Sequence, residues 1–558
     1  MNIRQPTILV CAAIAFVLAI AGGCSPDFYK ADADKEVYKI IDAKWHPSFG
    51  QKANYVIGDS NIPSPNDLRA GKIPTSPEKI SLAQAVAIAT ANSRTYQTWK
   101  ENLYESALSL SDERHKYELQ LFGTADGNGT YINQAQGKNN EFALSSNLGA
   151  SQDMLIGDGM EIGTNLALSW ARFLTGDPRT TLGSVLSTTA AVPLLGAGAG
   201  KQKREQLIQT ERDVVYAIRA FNRNRQDFVV DTINAYYGVL QTRDAVTNAQ
   251  SNYSSVLESQ DRLQMEAEAG RRTRIDVDEA YQNVLGAQAN LVQAQQTYDS
   301  ALDNFKFRLA IPTDANIELD QNELVALKEM GITQTTFAID EAIETALLRR
   351  LDLANSADQI DDYLRKAMLA ADGLGPQINA SANIYYTSPG QETDFQNLQF
   401  QHGTYQYGFN TDLPLDRKNQ RNDYRRALIA LEQQKRQYAG DMDNVKLQVR
   451  DAYRRLQQTA EQFRIQQNSL QLATQRVESN KLLLDAGRVT VRIVVESQNA
   501  LLTAQNDLTS ALVDHLNAKL SFYRDVGILQ VKPDGMWAQS VPASGKSTNE
   551  PKTSENSL

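Results

Sequence analysis

Cysteine is nearly missing from this chain of 558 residues, which has only Cys11 and Cys24. Cys11 lies inside an apolar N-terminal run, so a chain cut after that run holds no pair for a disulfide, and cysteine can build neither a covalent staple nor a zinc site. Histidine is scarce as well. His46, His115, His402 and His515 are scattered with no second ligand at metal spacing, and each reads as solvated or packed rather than as a ligand or a catalyst. Past the N-terminal run no apolar stretch is long enough for a transmembrane helix, in keeping with a mean hydropathy of -0.43. If the chain spans a membrane, it does so as strands. A formal charge of -10 argues against nucleic acid, which needs concentrated basic surface. Proline is absent between Pro193 and Pro312 and again between Pro414 and Pro533. Two long stretches are therefore open to uninterrupted helix.

What is present begins with Arg4, an apolar run over 8–21, Gly22-Gly23 and then Cys24. This reads as a secretory signal peptide over 1–23 rather than a spanning helix. Cys24 directly after small residues fits a bacterial lipoprotein site at which it is acylated, although Ala21 stands where such sites usually carry Leu. Ser25 in place of Asp favours onward transfer to the outer membrane. The alternative is an ordinary signal peptide with a chance Cys near its cut. Residues 24–80, rich in proline (Pro47, Pro63, Pro65, Pro74, Pro77), read as an extended tether. Residues 529–558 read as a disordered polar tail.

The body of the chain is an internal repeat. AGRRTRIDVDEAYQNVLGAQANL from Ala269 aligns without a gap with AGRVTVRIVVESQNALLTAQNDL from Ala486, at an offset of 217 residues that also places Phe305 on Phe522. The copies occupy 81–312 and 337–528, with a linker at 313–336. Each opens with a helical stretch (81–119 and 339–371), for which Ser81 is a plausible N-cap. Period-two segments follow at 121–131 and 182–194, with an extra pair at 142–150 and 160–170, and in the second copy at 378–387 and 405–413. Alternation of this kind suits strands with one apolar and one polar face, as an outer-membrane barrel needs; a soluble sandwich shares the signature. Then come long helical stretches, 201–268 and 417–485. In the second, Val449, Ala452, Leu456, Thr459, Phe463, Gln466, Leu470, Ala473, Val477, Asn480 and Leu484 recur at alternating spacings of three and four, a heptad seam. Roughly 68 helical residues rise about 100 Å. Each rod returns as a shorter helix carrying Ala280, Val284, Ala287, Leu291, Ala294 and Tyr298, or Ser497, Leu501, Ala504, Leu508, Ala511 and His515.

Lipoprotein-like Cys24, two helix–strand–strand–hairpin repeats, AVPLLGAGAG entering the first rod and the tips AGRRTRIDV and AGRVTVRIV together resemble the TolC-like outer-membrane efflux family. The resemblance covers about 82–528. It implies an α+β fold: a homotrimer whose twelve-stranded outer-membrane β-barrel is continued by a periplasmic α-helical barrel. It also implies a periplasmic adaptor and an inner-membrane pump as partners, contact with outer-membrane lipid, and no catalysis or cofactor. The extra pair at 142–170 departs from the family's four-strand unit, and so leaves open whether it adds strands or extracellular loop.

The tips are the candidate site. Gly270 and Gly487 permit the chain to reverse, Thr273 and Thr490 can cap the returning helices, and Arg271 and Arg488 complete the expected adaptor-docking set. Asp276, Glu279 and Glu496 fall where the family carries aperture residues, which implies rings of acids that favour cations. Ile493 replaces an expected acid, and neighbouring Arg492 is a candidate partner for Asp276 or Glu496. Chemistry finds little support elsewhere. GAGAGK at 196–201 imitates a phosphate loop, but its glycine spacing is wrong and Gln202 stands where Ser or Thr would hold magnesium; the SGKS at 544–547 lacks the leading glycine. A soluble coiled-coil adaptor or scaffold explains the rods but neither the strands nor Cys24.

Overall fold

The computed structural model describes residues 25–52, 55–57, 78–134, 137–154, 160–173, 180–195, 199–332, 338–388, 398–413, 415–532 and 537–539. Cys24 and the signal segment 1–23 lie outside them, as do 58–77 of the tether and 540–558 of the tail.

The first element is helix α1 (Pro26–Lys44), where the proline content predicts extended chain. Pro26 sits in the first turn, where no N–H is required, and Asp27 and Lys44 match the helix ends. Val37, Ile40 and Ile41, three and four apart, are buried. The other tether prolines lie in 58–77 or, for Pro47, start a short 3-10 turn. After β1 (Glu78–Ile80), helices α2 (Leu82–Asn92) and α3 (Arg94–His115) replace the single helix expected over 81–119. Ser81 caps α2 as predicted, accepting from Gln84 N–H while Gln84 Oε1 accepts from Ser81 N–H. The break falls at extended Ser93 (φ -62°, ψ 125°), whose hydroxyl accepts from Tyr96 N–H and so restarts the helix.

Strands β2 (Gln120–Gln134), β3 (Gly137–Met154), β4 (Met160–Phe173) and β5 (Thr180–Leu195) lead into the 70-residue α4 (Ala199–Glu268) and its 35-residue return α5 (Arg274–Arg308). The linker holds β6 (Ile317–Leu319) and α6 (Asn322–Met330). The second copy repeats the plan with α7 (Ile339–Arg349), α8 (Leu351–Asp372), β7 (Gln377–Thr387), β8 (Thr404–Asp412), the 68-residue α9 (Lys418–Asp485) and the 36-residue α10 (Val491–Val526). The last elements are β9 (Leu529–Val531) and β10 (Trp537–Gln539), an antiparallel pair. This corrects the reading of disorder from residue 529: alternation buries Leu529 and Val531, a pattern too short to stand out beside the polar tail. Among the described residues no helix is long and apolar enough to cross a membrane.

Two compact units divide the chain. The first comprises the described residues of Met1–Trp45, Asn102–Ile218 and Asn355–Tyr438. Its sheet runs β2-β3-β4-β5-β7-β8, antiparallel throughout. Helix α1 is tied to α3 by Tyr104 Oη donating to Asp34 (2.8 Å) and Ser111 Oγ donating to Glu36 (2.7 Å). Buried Asp362 joins α8 to α4, accepting from Tyr216 Oη (2.7 Å) and facing Arg212 (2.5 Å) and Arg365 (2.8 Å). Burial alone would raise its carboxyl; the hydrogen bonds from Tyr216 and Arg365 and the charge of Arg212 hold it below the usual carboxylate range.

The second unit comprises His46–Glu101, Arg219–Ala354 and the described residues of Ala439–Leu558. Its core gathers Val86, Ile233, Tyr236, Phe305, Leu309, Leu319, Leu324 and Leu520 among others, and parallel pairing of β1 with β6 closes the linker onto it. Tyr236 stacks edge-on against Phe305 at 6.0 Å, and its hydroxyl donates to Ile80 O at 3.0 Å. The repeat-equivalent Tyr453 and Phe522 meet at 5.9 Å, so the sequence repeat is a packing repeat. Along α9, the seam residues Val449, Leu456, Phe463, Val477 and Leu484 are buried, and Leu470 between Phe463 and Val477 is half-buried. Facing stripe residues Ala504, Ala511 and His515 of α10 are buried too.

Candidate functional site

Both long hairpins reverse through the same backbone device. After α4, Gly270 takes φ +77°, its N–H donates to Ala267 O (2.9 Å) and Arg271 N–H reaches back to Glu266 O (2.8 Å). After α9, Gly487 takes φ +69°, with Gly487 N–H on Leu484 O and Arg488 N–H on Leu483 O, both 2.9 Å. This is the paired-bond helix ending that needs a left-handed residue, which only glycine supplies without strain. Arg271 and Arg488 are exposed at the two turns.

The returns are capped differently. Thr273 accepts from Asp276 N–H (3.3 Å), and its own N–H and hydroxyl donate to Asp276 Oδ2 (3.1 and 2.8 Å), a reciprocal capping box. Thr490 stands at the equivalent N-cap but makes no side-chain cap hydrogen bond, which corrects the expectation that both threonines cap. The cause is local, since Ile493 stands where Asp276 does in the first copy and offers no carboxylate to hold the hydroxyl. Thr273→Ala is therefore expected to cost about 1 kcal/mol and to speed amide exchange in the first turn of α5. Thr490→Ala should leave exchange in the first turn of α10 nearly unchanged; equal acceleration at both would contradict the asymmetry.

The proposed aperture residues share neither one environment nor one network. Asp276 is half-buried with its carboxylate engaged by Thr273, Glu279 is half-buried one turn on, and Arg492 and Glu496 are exposed. Arg492 Nε lies 4.0 Å from Glu496 Oε1 on its own helix; the partner it finds is Glu496 rather than Asp276. At that exposure the pair contributes little to stability. Sequence reading misses the residues that tie the two tips together. Arg272 reaches Glu266 (3.0 Å) and the Leu484 carbonyl of the other hairpin (3.2 Å), and Arg262 pairs with Asp485 at 2.9 Å. Beneath them Leu263, Ala280, Leu484, Val491, Val494 and Val495 form one buried cluster. The only sequence hint is that Arg272 falls on Val489 when the tips are aligned.

In the other unit, the sheet sorts its side chains by row. Cross-strand partners in an antiparallel sheet share a face, and the registers chain six partners from edge to edge. Gln120, Ser151, Gly163, Thr189, Asn383 and Gln406 form one row, and Leu121, Ala150, Thr164, Thr188, Ile384 and Tyr405 form the next, on the opposite face. Then come Phe122, Gly149, Asn165, Ser187, Tyr385 and Thr404, followed by Gly123, Leu148, Leu166, Leu186 and Tyr386. One face is thus mainly polar and the other mainly apolar. On the apolar side Leu121, Leu148, Tyr407 and Phe409 are 76, 64, 78 and 76% exposed, so this face is bare in the single chain.

A family model described as outer membrane efflux protein matches residues 175–307 and 342–527, more than half of the chain and both repeats. The chain belongs to the outer membrane efflux protein family. A curated relative, the alkaline protease secretion protein AprF of Pseudomonas aeruginosa, is 24% identical over 315 residues, covering 55% of this chain and 63% of the relative; the chain thus spans under two thirds of that relative's length. The solved Campylobacter jejuni CmeC outer membrane channel matches with a TM-score of 0.58 at 13% identity, over 82% of this chain and 87% of CmeC. The outer membrane protein VceC of Vibrio cholerae gives 0.58 at 14%, over 80% and 96%. These likenesses establish that the family member has the channel fold.

Proposed function

We propose that this chain is the outer-membrane duct of a tripartite efflux or type I secretion system. It gives solutes such as drugs, metals, toxins or peptides passive exit from the periplasm and catalyses nothing. The observation that carries the reading is the sheet with its bare apolar face and opposed polar face, continued in the chain by two hairpins of 68–70 residues out. A single chain leaves both sheet edges open, which lipid does not tolerate, and the helices expose Tyr281, Leu285, Val292, Leu472 and Leu482, as self-association surfaces do. The working form is therefore a homotrimer. Its tips, with Gly270, Arg271, Thr273, Gly487, Arg488 and Thr490, dock a periplasmic adaptor that is served by an inner-membrane pump. Asp276, Glu279, Arg492 and Glu496 line the aperture.

Fractionation tests this reading. A heat-modifiable trimer in the outer-membrane fraction is expected; a protein released by salt alone would make it a scaffold. At the aperture, Arg492→Ala, which removes a positive charge beside Glu496, is expected to raise cation conductance, Glu496→Ala to weaken cation preference, and cysteines at Arg271 and Arg488 to crosslink to a periplasmic partner. If all three fail, the tips are turns and nothing more.

Cys24 anchors the chain by acylation in this reading. Cys24→Ser is expected to abolish fatty-acid labelling while leaving trimers in the membrane, because the closed sheet holds the chain in the bilayer without help from the acyl chains. Equal labelling of both forms would refute the anchor.

A further inference from the structure

Resting on the duct reading, we propose that three copies close an eighteen-stranded barrel, in which β3 and β4 are membrane wall rather than extracellular loop. The four-strand unit of the resemblance predicts twelve. Two observations argue for six strands per chain, and a third shows that such a sheet can close.

The first is length. The six strands run 15, 18, 14, 16, 11 and 9 residues, and about 9–11 tilted residues span a bilayer. The extra pair is at least as long as the strands at the other edge.

The second is phase. A one-residue slip anywhere would flip every side chain of a strand to the other face. No such flip occurs at β3 or β4: the apolar row through Leu148 and Leu166 continues to Leu186 and Tyr386, and the polar row through Ser151 and Gly163 continues to Thr189 and Asn383. A loop hairpin above the membrane would have no reason to keep lipid-facing phase with the wall. The pairing is also fitted in detail. A Cβ on Gly149 would stand 2.3 Å from Phe122 Cζ, so the Phe122 ring of β2 occupies the space that glycine leaves on β3.

The third is direction. The edges of the sheet are β2 and β8, and an even number of antiparallel strands makes them run opposite ways. A second copy can therefore add its β2 to β8 in the antiparallel sense, and the pattern closes without a parallel joint. Six strands closing within one chain would be too narrow, since about eight strands only just make room for interior side chains.

Barrel diameter grows roughly linearly with strand number. Eighteen strands at a spacing of about 4.8 Å and a tilt of about 40° give a backbone diameter of roughly 36 Å, against roughly 24 Å for twelve. Barrels of that count leave an aqueous channel. The outer-membrane section then passes bulky hydrated cargo, and any size limit is set by the helices.

Electron cryomicroscopy of the full chain purified in detergent tests this directly. Trimers with eighteen strands and a bore about one and a half times that of a twelve-stranded barrel are expected. A trimer with twelve strands, with 137–173 projecting beyond the membrane, would overturn the inference and leave the duct intact; a protein without any barrel would overturn the duct itself. Single cysteines give a second readout in intact outer membranes, measured against the parental chain. Leu166→Cys should be shielded by lipid from a membrane-impermeant maleimide, whereas Asn165→Cys should label from the lumen. Equal labelling of both places β4 in a loop and contradicts the proposal.

Discussion

Ala382→Arg is expected to destabilise the membrane-inserted sheet by about 2–4 kcal/mol, whereas Asn383→Arg, one residue on, is expected to be tolerated. Ala382 lies at the middle of β7, paired with Ala190 and Tyr407 on the apolar face. A guanidinium there has lipid on one side and no water to hold it. Asn383 is paired with Thr189 and Gln406 on the polar face, where a cation stays hydrated. The folded, heat-modifiable fraction at a fixed denaturant concentration reads the difference. Loss of that fraction in both variants, or in neither, would mean that the faces do not meet lipid and water as assigned.

Phe305→Ala is expected to cost about 3–5 kcal/mol, a large share of the stability of an ordinary domain. Phe305 is 1% exposed, stacks on Tyr236 and belongs to the cluster that joins the first hairpin to β1 and the linker. Its truncation leaves a void that the surrounding helices cannot easily fill. Phe522→Ala, at the repeat-equivalent position, should cost a similar amount, because the same tyrosine–phenylalanine pair recurs there. Denaturant unfolding followed by far-ultraviolet circular dichroism measures both. A loss below about 1 kcal/mol in either would show that the buried rings are not the anchor of their hairpin.

Much of this was legible because it is periodic. Strand alternation has a period of two whatever surrounds it, so the segments around Ala150, Leu166 and Ile384 declared themselves, and the heptad seam from Val449 to Leu484 marked a helix and its buried side together. The gapless repeat gave the tips, since Gly270 and Gly487 are tied to a backbone angle that few other residues adopt. Features without a period were lost. Proline content hid helix α1, although Val37, Ile40 and Ile41 carry a helical spacing. The breaks at Ser93 and Arg350 depend on what their side chains bond. Arg350 is taken up by Asp352 and by Gln448, the latter 98 residues away in sequence. The link from Arg272 to Leu484 has no local pattern at all, and the Thr490 cap failed for want of one carboxylate at Ile493.

The central property of these chains is a water-filled path across a membrane. Purified full-length protein added to a planar lipid bilayer tests that directly. It should insert as trimers and carry a steady ion current, which Arg492→Ala raises. Trimers that bind the bilayer without any current, or chains that stay in solution, would contradict it.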